Sequence, residues 1–111
     1  MNNEEVLASF AEYLQTQPLL LERTTSSKAV AIIHEFAAAI EPFPLDEATL
    51  RAIKAFERDH KPARMRNKYL MQIAKLRYYE IQLVMLFFRQ FRSSVLKSKP
   101  RDRTREDRFG D

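Results

Sequence analysis

The sequence predicts an all-α protein: a small helical bundle in which three short helices pack on one long, basic, apolar-faced C-terminal helix, followed by a disordered charged tail. Three observations carry this. The 111 residues contain a single glycine, Gly110, whereas β-hairpin turns usually need Gly or Asn at positive φ. Apolar residues recur at intervals of three and four along most of the chain. The prolines at 18, 42, 44 and 62 fall between those periodic stretches rather than inside them, as helix stops do.

Each element has its own signature. Asn3 is the expected N-cap of the first helix, with Glu4 and Glu5 in its first turn against the helix dipole, Val6, Leu7, Phe10 and Leu14 on one face, and Pro18 as its end. Leu19 to Leu21 form either a turn of helix or a buried connector. Thr24 to Ser27 supply caps for a second helix running to about Glu41, with Ala29, Ile32, Ile33, Phe36, Ala37 and Ile40 inward. Asp46 is the expected cap of the third helix, with Leu45 and Leu50 forming a hydrophobic staple around it and Leu50, Ile53 and Phe56 burying one face. The fourth helix has no Pro or Gly from Ala63 to Ser98, about 54 Å at the standard rise, with Pro62 in its first turn.

With 45% hydrophobic residues, residues 1–97 read as one helical domain that buries roughly two-thirds of its unfolded surface unaided. Residues 98–111 alternate charges with almost nothing apolar and read as a flexible tail. Cysteine is absent, so disulfides, thiolate nucleophiles and cysteine zinc sites are excluded together. The acidic start Met1-Asn2-Asn3-Glu4-Glu5 lacks the features of a signal peptide. The longest apolar run, Leu83 to Phe88, falls far short of the roughly 20 residues that cross a bilayer. The expected compartment is the cytoplasm, or the nucleus if the source is eukaryotic.

Charge is the main functional signal. Residues 1–60 carry ten acids against five bases, while residues 61–101 carry eleven bases against one acid, Glu80. A large field of one sign attracts an anion. At 100° per residue, Lys61, Arg64, Lys68, Lys75, Arg89 and Lys97 fall within about 80° of one another on a continuous fourth helix, with Tyr79 interrupting the stripe. These six, with Tyr69 and Tyr79 for stacking, form the expected nucleic-acid-binding face. The opposing candidates are an acidic protein partner, neutralisation by the chain's own glutamates, plain solvation, and an interfacial helix on a membrane surface.

From Ile81 to Phe91 the helix is apolar on nearly every side, which predicts burial all round or sharing with a second chain. Ile81, Val84, Met85, Phe87, Phe88 and Phe91 are therefore the expected homo-oligomer interface, and the alternative function is a protein-interaction or assembly subunit built on it. Arg77 and Glu80 point into the same apolar arc and are expected as a buried ion pair that fixes register or an oligomer contact. Catalysis, metal binding and cofactors are not expected. Neither His34 nor His60 has a second histidine at helical spacing, the trio of Glu57, Asp59 and His60 reads as a polar helix end, and no Ser, His and Asp spacing selects a triad. Glycine-rich phosphate loops are excluded by composition.

Overall fold

The computed structural model describes residues 1–96, and within them the chain is all-helical, with no strand. The order is α1 (Asn3–Leu14), a single turn α2 (Pro18–Leu21), α3 (Ser26–Ala39), a 3₁₀ turn (Leu45–Glu47), α4 (Leu50–Asp59), α5 (Lys68–Phe91) and a π-helical turn (Arg92–Leu96). Lys97 and the charged tail lie outside the described residues.

The helix starts are set by local caps, in three cases at other residues than expected. Asn2, not Asn3, begins α1: its side-chain oxygen accepts from the Glu5 amide at 2.8 Å, and the Glu5 carboxylate accepts from the Asn2 amide at 3.1 Å. That reciprocal box satisfies two orphan amides at once. Asn3 is left free to accept from the Leu45 amide at 2.9 Å, which ties the 3₁₀ turn to α1.

Asp46 does not cap α4, because its carboxylate meets the Met1 ammonium at 2.9 Å. Ala48 is extended, at φ −59° and ψ 131°. The cap falls to Thr49, whose hydroxyl accepts from the Ala52 amide. The Leu45 to Leu50 staple is lost with it: Leu45 is fully buried, while Leu50 is exposed.

The long helix begins at Lys68, not Ala63, and spans 24 residues, about 36 Å. Asn67 caps it by accepting from the Leu70 amide at 3.0 Å. Starting at Ala63 would place Arg64 and Arg66 in a first turn whose dipole repels cations. Starting at Lys68 leaves Lys61, Arg64 and Arg66 in an irregular segment before the helix. At the other end the Ser94 hydroxyl donates to the Gln90 carbonyl at 2.9 Å, a back-bond that competes with the regular ladder, and the chain widens into the π turn.

The core forms where α1, α3 and α4 all pack on the C-terminal half of α5. Four phenylalanines meet there: the Phe88 ring lies 5.5 Å from Phe10, 5.9 Å from Phe36 and 5.9 Å from Phe91, edge-on to the first two, the arrangement that the ring quadrupole favours. Phe56 of α4 joins through Phe36 at 5.2 Å. Leu20, the inward residue of α2, and Leu45 complete the cover. Leu19 stays 71% exposed, so α2 contributes only one side chain of its leucine run.

This core contains the whole of the expected oligomer interface. Ile81, Val84, Met85, Phe88 and Phe91 are fully buried and Phe87 nearly so. Of the two outcomes the apolar run allowed, burial all round or sharing with a second chain, the first holds within this chain: its own helices cover these residues, because they converge on half of α5 rather than spreading along a longer helix. Among the described residues no helix is long and apolar enough to cross a membrane.

Candidate nucleic-acid interface

The bundle covers α5 only from Ile81 onward; before it, no residue from Lys61 to Glu80 is buried. The first three turns of α5 therefore stand clear of the core. Along them Tyr69 is 74% and Leu76 and Tyr79 are each 58% exposed, with Leu70 and Ile73 about half exposed. By angle Tyr69, Leu70, Ile73 and Leu76 fall on the apolar arc opposite the basic stripe and Tyr79 within the stripe, and periodicity marks such an apolar face without saying how far its cover extends.

The predicted basic residues separate into three groups. Lys61 and Arg64, with Arg66, are exposed in the segment before α5, so they do not continue a helical stripe. Lys68 and Lys75 are exposed on α5 within about 20° of each other, with Gln72 and Tyr79 close to the same line. Arg89 lies farther along, partly buried, beside Glu57 of α4. Burial raises the Glu57 carboxyl above the usual carboxylate range, while Arg89 and Lys54 pull it back. Arg89 thus faces an acid of its own chain, and of the stripe expected from Lys61 to Lys97, whose last member lies outside the described residues, the exposed cations are those of the N-terminal part.

The Arg77–Glu80 pair is present but not buried. Arg77 Nη1 approaches Glu80 Oε1 at 3.4 Å and Arg77 Nη2 approaches Glu35 Oε2 of α3 at 2.8 Å, with the Arg77 side chain 47% exposed. The other Glu80 oxygen accepts from the hydroxyl of buried Thr24 at 3.0 Å. The apolar arc ends here because α3 presents a carboxylate, not a hydrocarbon, to this turn of α5. One of the suspected self-neutralising glutamates, Glu35, acts as such toward Arg77.

These exposures set unequal costs. Arg77→Ala removes half-solvated ion pairs and is expected to cost under about 1 kcal/mol. Glu80→Ala leaves the Thr24 hydroxyl without its acceptor and is expected to cost about 1–3 kcal/mol. Urea unfolding of the two variants checks the order; an Arg77→Ala loss as large as the Glu80→Ala loss would contradict it.

Beside this network runs an open groove of about 550 Å³ lined by Arg23, Leu76, Arg77, Tyr79, Glu80 and Leu83. Arg23 was not anticipated. It follows α2 in the acidic half of the chain, more than fifty positions from Tyr79, and no local pattern links the two. A second groove, of about 450 Å³, lies between Leu50 of α4 and Leu86, Arg89 and Arg92.

His60 closes the end of α4. Its Nδ1 lies 2.8 Å from the Phe56 carbonyl oxygen, which places the ring proton on that nitrogen, and its ring packs 4.3 Å from that of Phe56. Among the described residues no group of three His, Asp or Glu side chains is arranged to hold a metal ion.

Comparison with protein-family models, with curated proteins and with solved structures finds no match for this chain.

Proposed function

We propose that this is a small, non-catalytic nucleic-acid-binding or nucleoprotein-associated protein of the cytoplasm or nucleus, which contacts phosphates through the free N-terminal half of α5 and the segment before it. One observation carries the reading. Between Asp59 and Glu80 the chain has six bases and no acid, and all six side chains are exposed. Only Arg77 of these takes part in an ion pair among the described residues. A merely solvated face mixes both signs for pairing along the helix; five exposed cations with no ion pair among the described residues attract a polyanion.

The test is fluorescence anisotropy of a labelled oligonucleotide against salt. Neutralising a handful of phosphates predicts that the logarithm of the binding constant falls linearly with the logarithm of salt concentration, with a slope of about −3 to −5. Binding that is absent at low salt, or indifferent to salt, would overturn the proposal.

An acidic protein partner is the second reading, favoured by the exposure of Leu70, Ile73 and Leu76 beside the cations. Binding of polyglutamate but not of oligonucleotides would select it. A second copy of the chain fits this face poorly, since two such helices laid against each other would oppose lysines to lysines.

A further inference from the structure

We infer, resting on the nucleic-acid reading, that the bound strand is single: its phosphates follow Lys68 and Lys75 while its bases lie against Tyr69 and Leu76 and enter the groove beside Tyr79.

The argument starts from what a duplex offers. Its bases are stacked inside, so a helix laid on its backbone meets phosphate and sugar and has no use for exposed aromatic faces. On α5 the cations and the apolar groups form two parallel rows. Lys68 and Lys75 make one and Tyr69 and Leu76 the other, each pair seven residues apart and so about 10.5 Å along the axis, with the rows about 100° apart around it. Gln72 and Tyr79 sit between or beside the lysines. The lysine row with Gln72 alone would suit a duplex groove, but that leaves Tyr69, Leu76 and Tyr79, each more than half exposed, without a role.

A single strand uses both rows. Its backbone is tracked by charge and its bases present flat apolar faces that stack on aromatic rings with little regard to sequence. The groove extends the apolar row past Leu76. Leu76 and Leu83 supply hydrocarbon, Tyr79 a ring whose centroid lies 6.1 Å from that of Tyr78, and Arg23 positive charge, while Arg77 and Glu80 line it as an ion pair. Its volume of about 550 Å³ falls within the range of small-molecule sites, enough for a base. Arg23 arrives from a different part of the chain, so the groove exists only in the folded protein.

The experiment measures the full chain by anisotropy against four probes of equal length: oligo(dT), oligo(U), an abasic deoxyribose-phosphate strand and a duplex. Oligo(dT) or oligo(U) is expected to bind at least about tenfold tighter than the abasic strand, which keeps the phosphates and lacks the bases. Tyr69→Ala and Tyr79→Ala are each expected to lower single-strand affinity about tenfold without changing the salt slope. Tyr79→Phe, which keeps the ring, is expected to retain it. Both tyrosines are well exposed, and the abasic probe leaves the protein unaltered, so a folding defect cannot imitate the result. Equal affinity for abasic and natural strands, or tighter binding of the duplex, overturns this inference and leaves the proposed function in place. No binding to any of the four overturns both.

Discussion

Phe88→Ala will lower the free energy of unfolding by about 3–5 kcal/mol. The ring is fully buried and, among the described residues, is the one side chain that touches aromatic partners on α1, on α3 and on its own helix together, at Phe10, Phe36 and Phe91. Truncation removes the transfer free energy of the ring and leaves a cavity whose walls come from different helices and cannot collapse independently. For a domain with a total stability on the order of 5–15 kcal/mol, that is a large share, and urea unfolding followed by circular dichroism will show it as an earlier midpoint. Leu76→Ala is the control. It is equally apolar but lies on the free half of α5, and is expected to change stability by under about 0.5 kcal/mol. A Phe88→Ala loss below about 1 kcal/mol would mean that the aromatic cluster is not the centre of the fold.

Reversing Lys68 and Lys75 together to glutamate is expected to weaken oligonucleotide binding on the order of a hundredfold at moderate salt, since two phosphate contacts become two repulsions, and to reduce the salt slope by about two. Both side chains are exposed and make no ion pair among the described residues, so helicity and unfolding midpoint should stay unchanged. Glutamate early in α5 also suits the dipole, which removes loss of helix as an explanation. Affinity that survives the double reversal would move the contact away from the N-terminal half of α5, to Arg89 and Arg92 or elsewhere, and would withdraw the geometry proposed for the strand.

The helices and most of the core were legible in the sequence, because both follow from spacing. Val6, Phe10 and Leu14, Ile32, Ile33 and Phe36, and Ile53 with Phe56 fall on single faces, and all are buried. The helix starts were less legible, since a cap is a competition among neighbours. Asn2 and Asn3 are chemically alike, and what separates them is that Asn3 bonds a residue 42 positions away; Asp46 loses its role to the chain terminus in the same manner. The length of the last helix was overestimated by treating the absence of Gly and Pro as a start signal, when Asn67 supplied a positive one.

The candidate site was legible in its charge and illegible in its surroundings. Lys68, Lys75, Tyr69 and Tyr79 were identified from residue type and angle, which a single helix determines. Whether Ile81 to Phe91 faces a second chain or the chain's own helices depends on where α1, α3 and α4 pack, and periodicity within one segment contains no such information. Spacing suggested the Arg77 to Glu80 contact, but Glu35 and Thr24, which decide its exposure and cost, come from other elements.

The cap at Asn67 and the contacts of Arg77 with Glu35 and of Glu80 with Thr24 stand at opposite ends of residues 68–76, which among the described residues make no side-chain hydrogen bond or ion pair to another element. A helix of that length is marginal in water by itself. Its order is sustained by propagation from the anchored end and by the one side-chain bond at its start, so it acts as a cantilever whose stiffness is set locally. Whatever ligand settles on it therefore competes with a helix–coil equilibrium as well as with solvent. The measured affinity contains the free energy of stiffening the cantilever, and helix propensity at outward positions such as Gln72 becomes a determinant of binding strength without any contact to the ligand.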